Sequence, residues 1–284
     1  LMTMTIYQDF QRIVNQIAAN YSIPTISEVY FPPFFKGGQP KEYEFIAIKL
    51  EGGACGISFV LLADKEVENY ELIAHSSFLN TDPVILAGDF GSQDPVKNMV
   101  GLAALNAICQ YVMKSNQDLL DVSSDSLGLL NIEKDQRIGM VGLFRPLLKR
   151  VESLGADLII LEQKEALIKK YPQYNITTDP SLLKDCDSVL CTSTTVYNNT
   201  LDSVLTHCSP NSFISVIGPT AGYFPEPLFA RGVDVVGGTY IEDSDAFMQH
   251  LRDQTRWGKS TVKFCFEKTK YKGLSLLSKP NSEH

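Results

Sequence analysis

The chain of 284 residues carries a formal net charge of -8, with 44% hydrophobic and 20% charged residues. That apolar share supports a packed core and excludes a disordered chain, which would need far fewer apolar residues or long runs of like charge. The length suggests about two domains. The negative charge argues against nucleic acid and anionic membrane surfaces as partners, because both would repel it.

No apolar run reaches the roughly 20 residues needed to span a bilayer. The chain opens on an amphipathic pattern rather than a basic segment followed by an apolar core, so no signal peptide is expected. Cysteines at 55, 109, 186, 191, 208 and 265 lack CxxC spacing and suggest no disulfide scaffold in a chain of this size. A reducing, cytoplasmic setting follows as an expectation.

Thr5 and Gln8 have the spacing of a capping box, in which hydroxyl and amide each satisfy a free backbone N–H. Behind them Ile6, Phe10, Ile13, Val14, Ile17 and Tyr21 recur at helical spacing, and Pro24 is expected to end that helix. Phe45–Leu50 and Cys55–Leu62 are strand-like runs flanking Glu51-Gly52-Gly53-Ala54, which reads as a hairpin. Asp94-Pro95 then opens a second helix, with Asp as N-cap and Pro at the first helical position. From Val96 to Tyr111 this helix is apolar almost all round, so it must be covered on several sides. That places it between two domains. Asn98 and Asn106 are then polar groups set in a buried helix, either bonded to nearby backbone or facing a ligand.

Residues 119–134 show no clear period and read as a linker. From Arg137 onward short apolar runs alternate with helical stretches: Arg137–Leu143, Asp157–Leu161, Ser188–Cys191, Phe213–Ile217 and Val233–Val236. The intervals suit crossovers of about a dozen residues, and continuous apolar runs suit strands buried on both faces. The expected fold is therefore α/β: a C-terminal Rossmann-like parallel sheet with helices on both faces, joined to a smaller N-terminal α+β domain. The expected division is residues 1–120, a linker at 121–136, and 137–284.

In open α/β sheets a ligand sits beyond the carboxyl ends of the strands, where the strand order reverses. That rule selects four loops. In the first, Gly142 precedes Arg145, which stands at a helix start and would favour an anion. Glu162 ends the second strand and could accept from ribose hydroxyls or cap the helix that follows. Thr192, Ser193, Thr194 and Thr195, with Asn198 and Thr200, gather more hydroxyl and amide groups at one strand end than a serine/threonine turn requires. In the fourth loop, Gly218, Pro219 and Thr220 form a turn where glycine leaves room for a ligand or another chain.

The stretches Thr192–Asp202 and Val216–Thr220, with Pro227-Leu228-Phe229 and Gly232-Val233, resemble a prokaryotic family described as "putative heavy-metal chelation". Gly142–Pro146, Glu162 and Val100–Ala107 are similar to it as well, so the resemblance spans nearly the whole chain. It implies an N-terminal domain similar to the small domain of enolases, joined to a Rossmann-like domain, with the site in the cleft between them. The family's Thr-Gly-Thr-Thr stands here as Thr192-Ser193-Thr194-Thr195.

No residue constellation names a reaction. The histidines at 75, 207, 250 and 284 form neither HxxxH nor HExxH spacing, and none falls in the predicted crevice. Cys191, near a strand end, is a weak candidate for a soft metal ligand. The favoured reading is binding or processing of an anionic small molecule or metal chelate in the interdomain cleft. Two alternatives stay open: an enzyme dependent on a nucleotide or S-adenosylmethionine, and a non-catalytic regulatory module. A homodimer is compatible with each.

Overall fold

A computed structural model describes residues 4–122 and 131–276. Half of the expected linker, residues 123–130, lies outside that range, as does His284. Its first residue, Asp121, is bridged to Cys265, whose N–H donates to the Asp121 carbonyl at 3.0 Å.

The chain begins with helix α1 (Ile6–Asn20), where both bonds of the capping box between Thr5 and Gln8 are formed. Strands β1 (Ile26–Tyr30), β2 (Phe45–Leu50) and β3 (Cys55–Phe59) make an antiparallel sheet in that order. The β2–β3 hairpin turns on Gly52 and Gly53, at φ +85° and +104°, angles that residues with a Cβ rarely adopt. Helices α2 (Val67–Ala74) and α3 (Pro83–Ala87) lead to α4 (Pro95–Lys114). Asp94 caps α4 by accepting from the Val96 N–H at 2.9 Å.

α4 is the spine of the molecule, buried on every side as its composition requires. One face packs on β2 and β3, where Gly56 lets the strand backbone lie directly against the helix. Its other side reaches the C-terminal sheet through two buried amides. Asn106 Nδ2 donates to the Ile57 carbonyl at 2.9 Å and to the Thr220 carbonyl at 2.8 Å. Gln110 accepts from the Ile241 N–H at 3.1 Å and donates to Thr239 and Gly222. Fully buried Val96, Met99, Leu102 and Ile108 each contribute about 1.5–3 kcal/mol by leaving water, so α4 is a rigid scaffold.

The larger sheet holds β4 (Arg137–Val141), β5 (Asp157–Leu161), β6 (Ile176–Thr177), β7 (Ser188–Thr192), β8 (Phe213–Ile217), β9 (Val235–Ile241) and β10 (Thr261–Glu267). Their order is β10-β9-β8-β7-β4-β5-β6, all parallel except β10, which pairs antiparallel with β9. Helices α5 (Arg145–Leu154), α6 (Glu165–Lys170), α7 (Thr194–Tyr197), α8 (Leu201–His207), α9 (Glu226–Phe229) and α10 (Ser244–Asp253) lie in the connections. Ile138, Met140, Ile160 and Leu190 pack with Leu148 and Val151 of α5 on one face. The alternate residues Val141, Ile159, Val189 and Cys191 join the main core on the other. Both faces are covered, as the unbroken apolar runs require.

The chain enters this sheet at β4, builds outward through β5 and β6, then returns to the far side of β4 for β7 to β9. The order therefore reverses between β4 and β7. Four strands differ from the sequence reading: β9 in its bounds, and β1, β6 and β10 in being unexpected. The last parallel strand runs Val235–Ile241 rather than Val233–Val236, because the Val233 N–H turns back to the Leu228 carbonyl. β10, with Phe264 and Phe266 buried, was not expected, since an antiparallel edge strand adds no crossover to betray it.

Candidate functional site

A cleft of about 950 Å³ opens beyond the carboxyl ends of β4, β5 and β7, at the reversal point. The sheet side supplies Gly142, Glu162, Thr192, Thr194, Thr195, Asn198 and Thr200; the N-terminal layer supplies Phe34, Phe35, Gln39, Glu44, Phe59, Leu61 and Leu62. Seven of the residues expected to bind ligand thus share one cavity.

The hydroxyls are held by one another. Thr192 Oγ1 accepts from the Thr194 N–H at 3.3 Å and donates to Thr194 Oγ1 at 3.1 Å. Thr195 Oγ1 donates to the Thr192 carbonyl at 2.8 Å, and Thr200 Oγ1 to Asn198 Oδ1 at 2.6 Å. With Thr192 as its donor, the Thr194 hydroxyl keeps its own hydrogen for the cleft. Gly142, at φ +82°, lets β4 and β7 converge: a Cβ there would lie 2.8 Å from Thr192 Cγ2.

Other expected site residues lie elsewhere. Ser193 turns inward, its Oγ 2.9 Å from Thr220 Oγ1, with both residues buried. The room at Gly218 is filled by Ser193, whose Oγ would be 2.0 Å from an added Cβ; no space remains there for a ligand. Pro219 is half-buried in the same turn, outside the cleft. Asn98 accepts from the Gly91 N–H at 2.7 Å and donates to the Tyr197 carbonyl, so both α4 amides bond backbone. The Arg145 guanidinium stands 5.9 Å over the Tyr171 ring and does not line the cleft; cation–π attraction draws it there. Glu162 does line the cleft, yet its Oε1 accepts from the Gln163 and Lys164 N–H groups, both at 3.0 Å, as a local cap. Cys191 is fully buried, and burial pushes its thiol well above the usual range.

Three titratable side chains in the cleft, Glu44, Lys164 and His207, were not foreseen. His207, at the end of α8, lines it and corrects the expectation of a crevice without histidine. Its signal was present: Thr200, Ser203, Val204 and His207 follow helical spacing and share a face. Glu44 had no such signal, because it enters from the opposite layer through the start of β2. Burial raises its carboxyl above the ordinary value, against the lowering pull of Lys41 and Lys164. A carboxyl raised on folding favours the folded state while protonated, and that advantage is lost as pH rises through its folded value. Glu44→Gln is therefore expected to raise the melting temperature at neutral pH and to give no gain at pH 3. Thermal melts across that window measure both.

Among the described residues no three His, Cys, Asp or Glu side chains come together to hold a metal ion. Burial pushes the thiols of Cys55 and Cys109 up to about 12 and that of Cys186 to about 11, far from the thiolate that metals require. No helix among the described residues is long and apolar enough to cross a membrane. The arrangement suits a small molecule bound by hydroxyls and amides on one wall and apolar rings on the other.

An uncharacterized protein of Methanocaldococcus jannaschii is 27% identical over 222 residues, covering 74% of this chain and 79% of that protein. A DUF364 protein of unknown function from Pyrococcus horikoshii superposes with a TM-score of 0.68 at 16% identity, over 93% of this chain and 100% of its own. A second, from Desulfitobacterium hafniense, gives 0.66 at 18% identity, over 92% and 100%. At such identities the likeness concerns the fold. The family model described as "Putative heavy-metal chelation" matches residues 125–268, half of the sequence and all of β4 to β10. The chain belongs to that family, DUF364.

Proposed function

We propose that this protein binds a small molecule in the cleft at the β4–β7 reversal point, and that the molecule is a chelator or a metal ion carried within one. The observation that carries the reading is the pairing of Thr192, Thr194, Thr195, Asn198 and Thr200 on one wall with Phe34, Phe35, Phe59 and Leu61 on the other. Such walls read a ligand with polar donor atoms and an apolar body. A bare ion would call for a protein cage, whereas a chelate brings its own donors. A purely anionic ligand fits less well than the sequence suggested, since Arg145 rests on Tyr171 and the cleft carries Glu44 and Glu162 beside Lys164 and His207.

Dependence on a nucleotide or S-adenosylmethionine has one feature in its favour, the strand order of dinucleotide-binding sheets. Against it, Glu162 is spent as a cap and the space at Gly142 is taken by Thr192 rather than left for a pyrophosphate. Adenine cofactors are expected to leave the melting temperature unchanged.

Native mass spectrometry with elemental analysis, on protein purified without chelators, tests the main reading. One equivalent of a small molecule or metal chelate is expected. Thr194→Val should raise its Kd about fivefold through one lost hydrogen bond, with the melting temperature nearly unmoved. Protein that carries nothing, and a variant that binds an identified ligand as well as the parent, would each overturn it.

A further inference from the structure

The Glu44 carboxylate enters the cleft from the N-terminal layer. It is half-buried, and among the described residues no donor or cation pairs with it. Lys41 and Lys164 act on it only at longer range. A carboxylate that loses water without gaining a partner is costly, and such groups are retained where a ligand supplies the partner. Phe34, Phe35 and Phe59 line the same wall of the cleft, with Phe59 on the strand paired beside Glu44 and Phe35 among the exposed large apolar residues of the surface. Ring faces are electron-rich and attract cations, so the rings and the carboxylate favour the same kind of group. The far wall differs, with threonine hydroxyls, Lys164 and His207 beside the Glu162 carboxylate, which caps its own loop.

Resting on the reading of this cleft as the ligand site, we propose that its ligand bears a cationic nitrogen that docks on Glu44. The ligand's apolar portion lies against Phe35 and Phe59, and its oxygen-bearing end meets the Thr192–Thr200 loop. The class is therefore an amine-bearing molecule, such as a chelator built from amino and carboxylate groups. Glu44 is the residue that sets specificity for its charge.

Two probes sharing one ring separate the charges: phenethylamine carries an ammonium group and 3-phenylpropionate a carboxylate. Titrations of each against the full chain, followed by ligand-observed NMR, give the preference. The amine is expected to bind at least about tenfold more tightly, as a charge-assisted contact allows. Glu44→Gln should reduce the preference to within twofold, while Phe35→Ala weakens both probes alike. A melt of each variant confirms folding. The inference is overturned if Glu44→Gln keeps the preference, if the carboxylate binds as well as the amine, or if neither probe saturates. If native mass spectrometry finds one bound equivalent while the probes fail, the cleft reading stands and the amine does not. If it finds none and the probes also fail, both fall.

Discussion

Adding a single methyl group at position 56 is expected to destabilise this protein by about 3 kcal/mol or more, enough to unfold most of it if the parent is marginal. A Cβ on Gly56 would lie 2.2 Å from the Ala107 nitrogen and 2.3 Å from the Ala103 carbonyl oxygen. Both belong to the α4 backbone, so no side chain can rotate away to relieve the contact. β3 would have to lift off the helix and take the buried Cys55 and Ile57 with it. Gly52→Ala is the control. Gly52 has a positive φ and no atom near an added Cβ, so it should cost only about 1 kcal/mol through backbone strain. Urea midpoints of the two variants decide the matter; comparable losses would mean that β3 and α4 are not in backbone contact.

The second large effect is expected at Asn106. Replacing it by alanine leaves the Ile57 and Thr220 carbonyls without the donor that joins them. Each stranded buried acceptor costs about 1–3 kcal/mol, so a total of about 2–6 kcal/mol is expected, with a fall in melting temperature on the order of 5–10 °C. Thr220 also holds Ser193, next to the cleft threonines, but Asn106 does not line the cavity. Its variant should therefore lose stability far more than affinity, the reverse of Thr194→Val. Scanning calorimetry and a binding titration on both proteins test the crossed pattern. An Asn106→Ala protein as stable as the parent would show that the amide does not tie the two layers together.

Much of this architecture was legible in the linear order of residues. The capping box at Thr5, the Asp94-Pro95 start of α4 and the glycine turn between β2 and β3 are local arrangements whose partners lie within a few positions. Strands β4, β5, β7 and β8 announce themselves because burial on both faces demands unbroken apolar runs. The threonine-rich loop found its place for a topological reason: a parallel sheet puts all its carboxyl ends on one edge, and the order reversal opens a crevice there. The family model covers the resembling stretches from Gly142 to Val233, whereas Val100–Ala107 lies outside the residues it matches.

Side-chain direction was not legible in this way. Nothing near Arg145 in sequence shows that Tyr171, on the next crossover, will take its guanidinium out of the cleft. Ser193 and Thr194 are neighbours of similar chemistry, yet one is locked to Thr220 and the other lines the cavity, because the chain leaves β7 and turns into α7 at Ser193. Glu44 and the phenylalanines reach the site only because α4 clamps the small sheet against the large one.

What the sequence alone determined, then, was the buried strands and capped helices, the sheet edge that carries the threonine-rich loop, and the family. Those depend on hydrophobic periodicity and turn chemistry, which act over a few residues. The tertiary structure alone decided which hydroxyls face the cavity, which charge stands unpaired within it, and what forms its opposite wall. Those depend on contacts between separate segments, such as Ser193 with Thr220 and Arg145 with Tyr171, where packing decides and sequence spacing carries no signal.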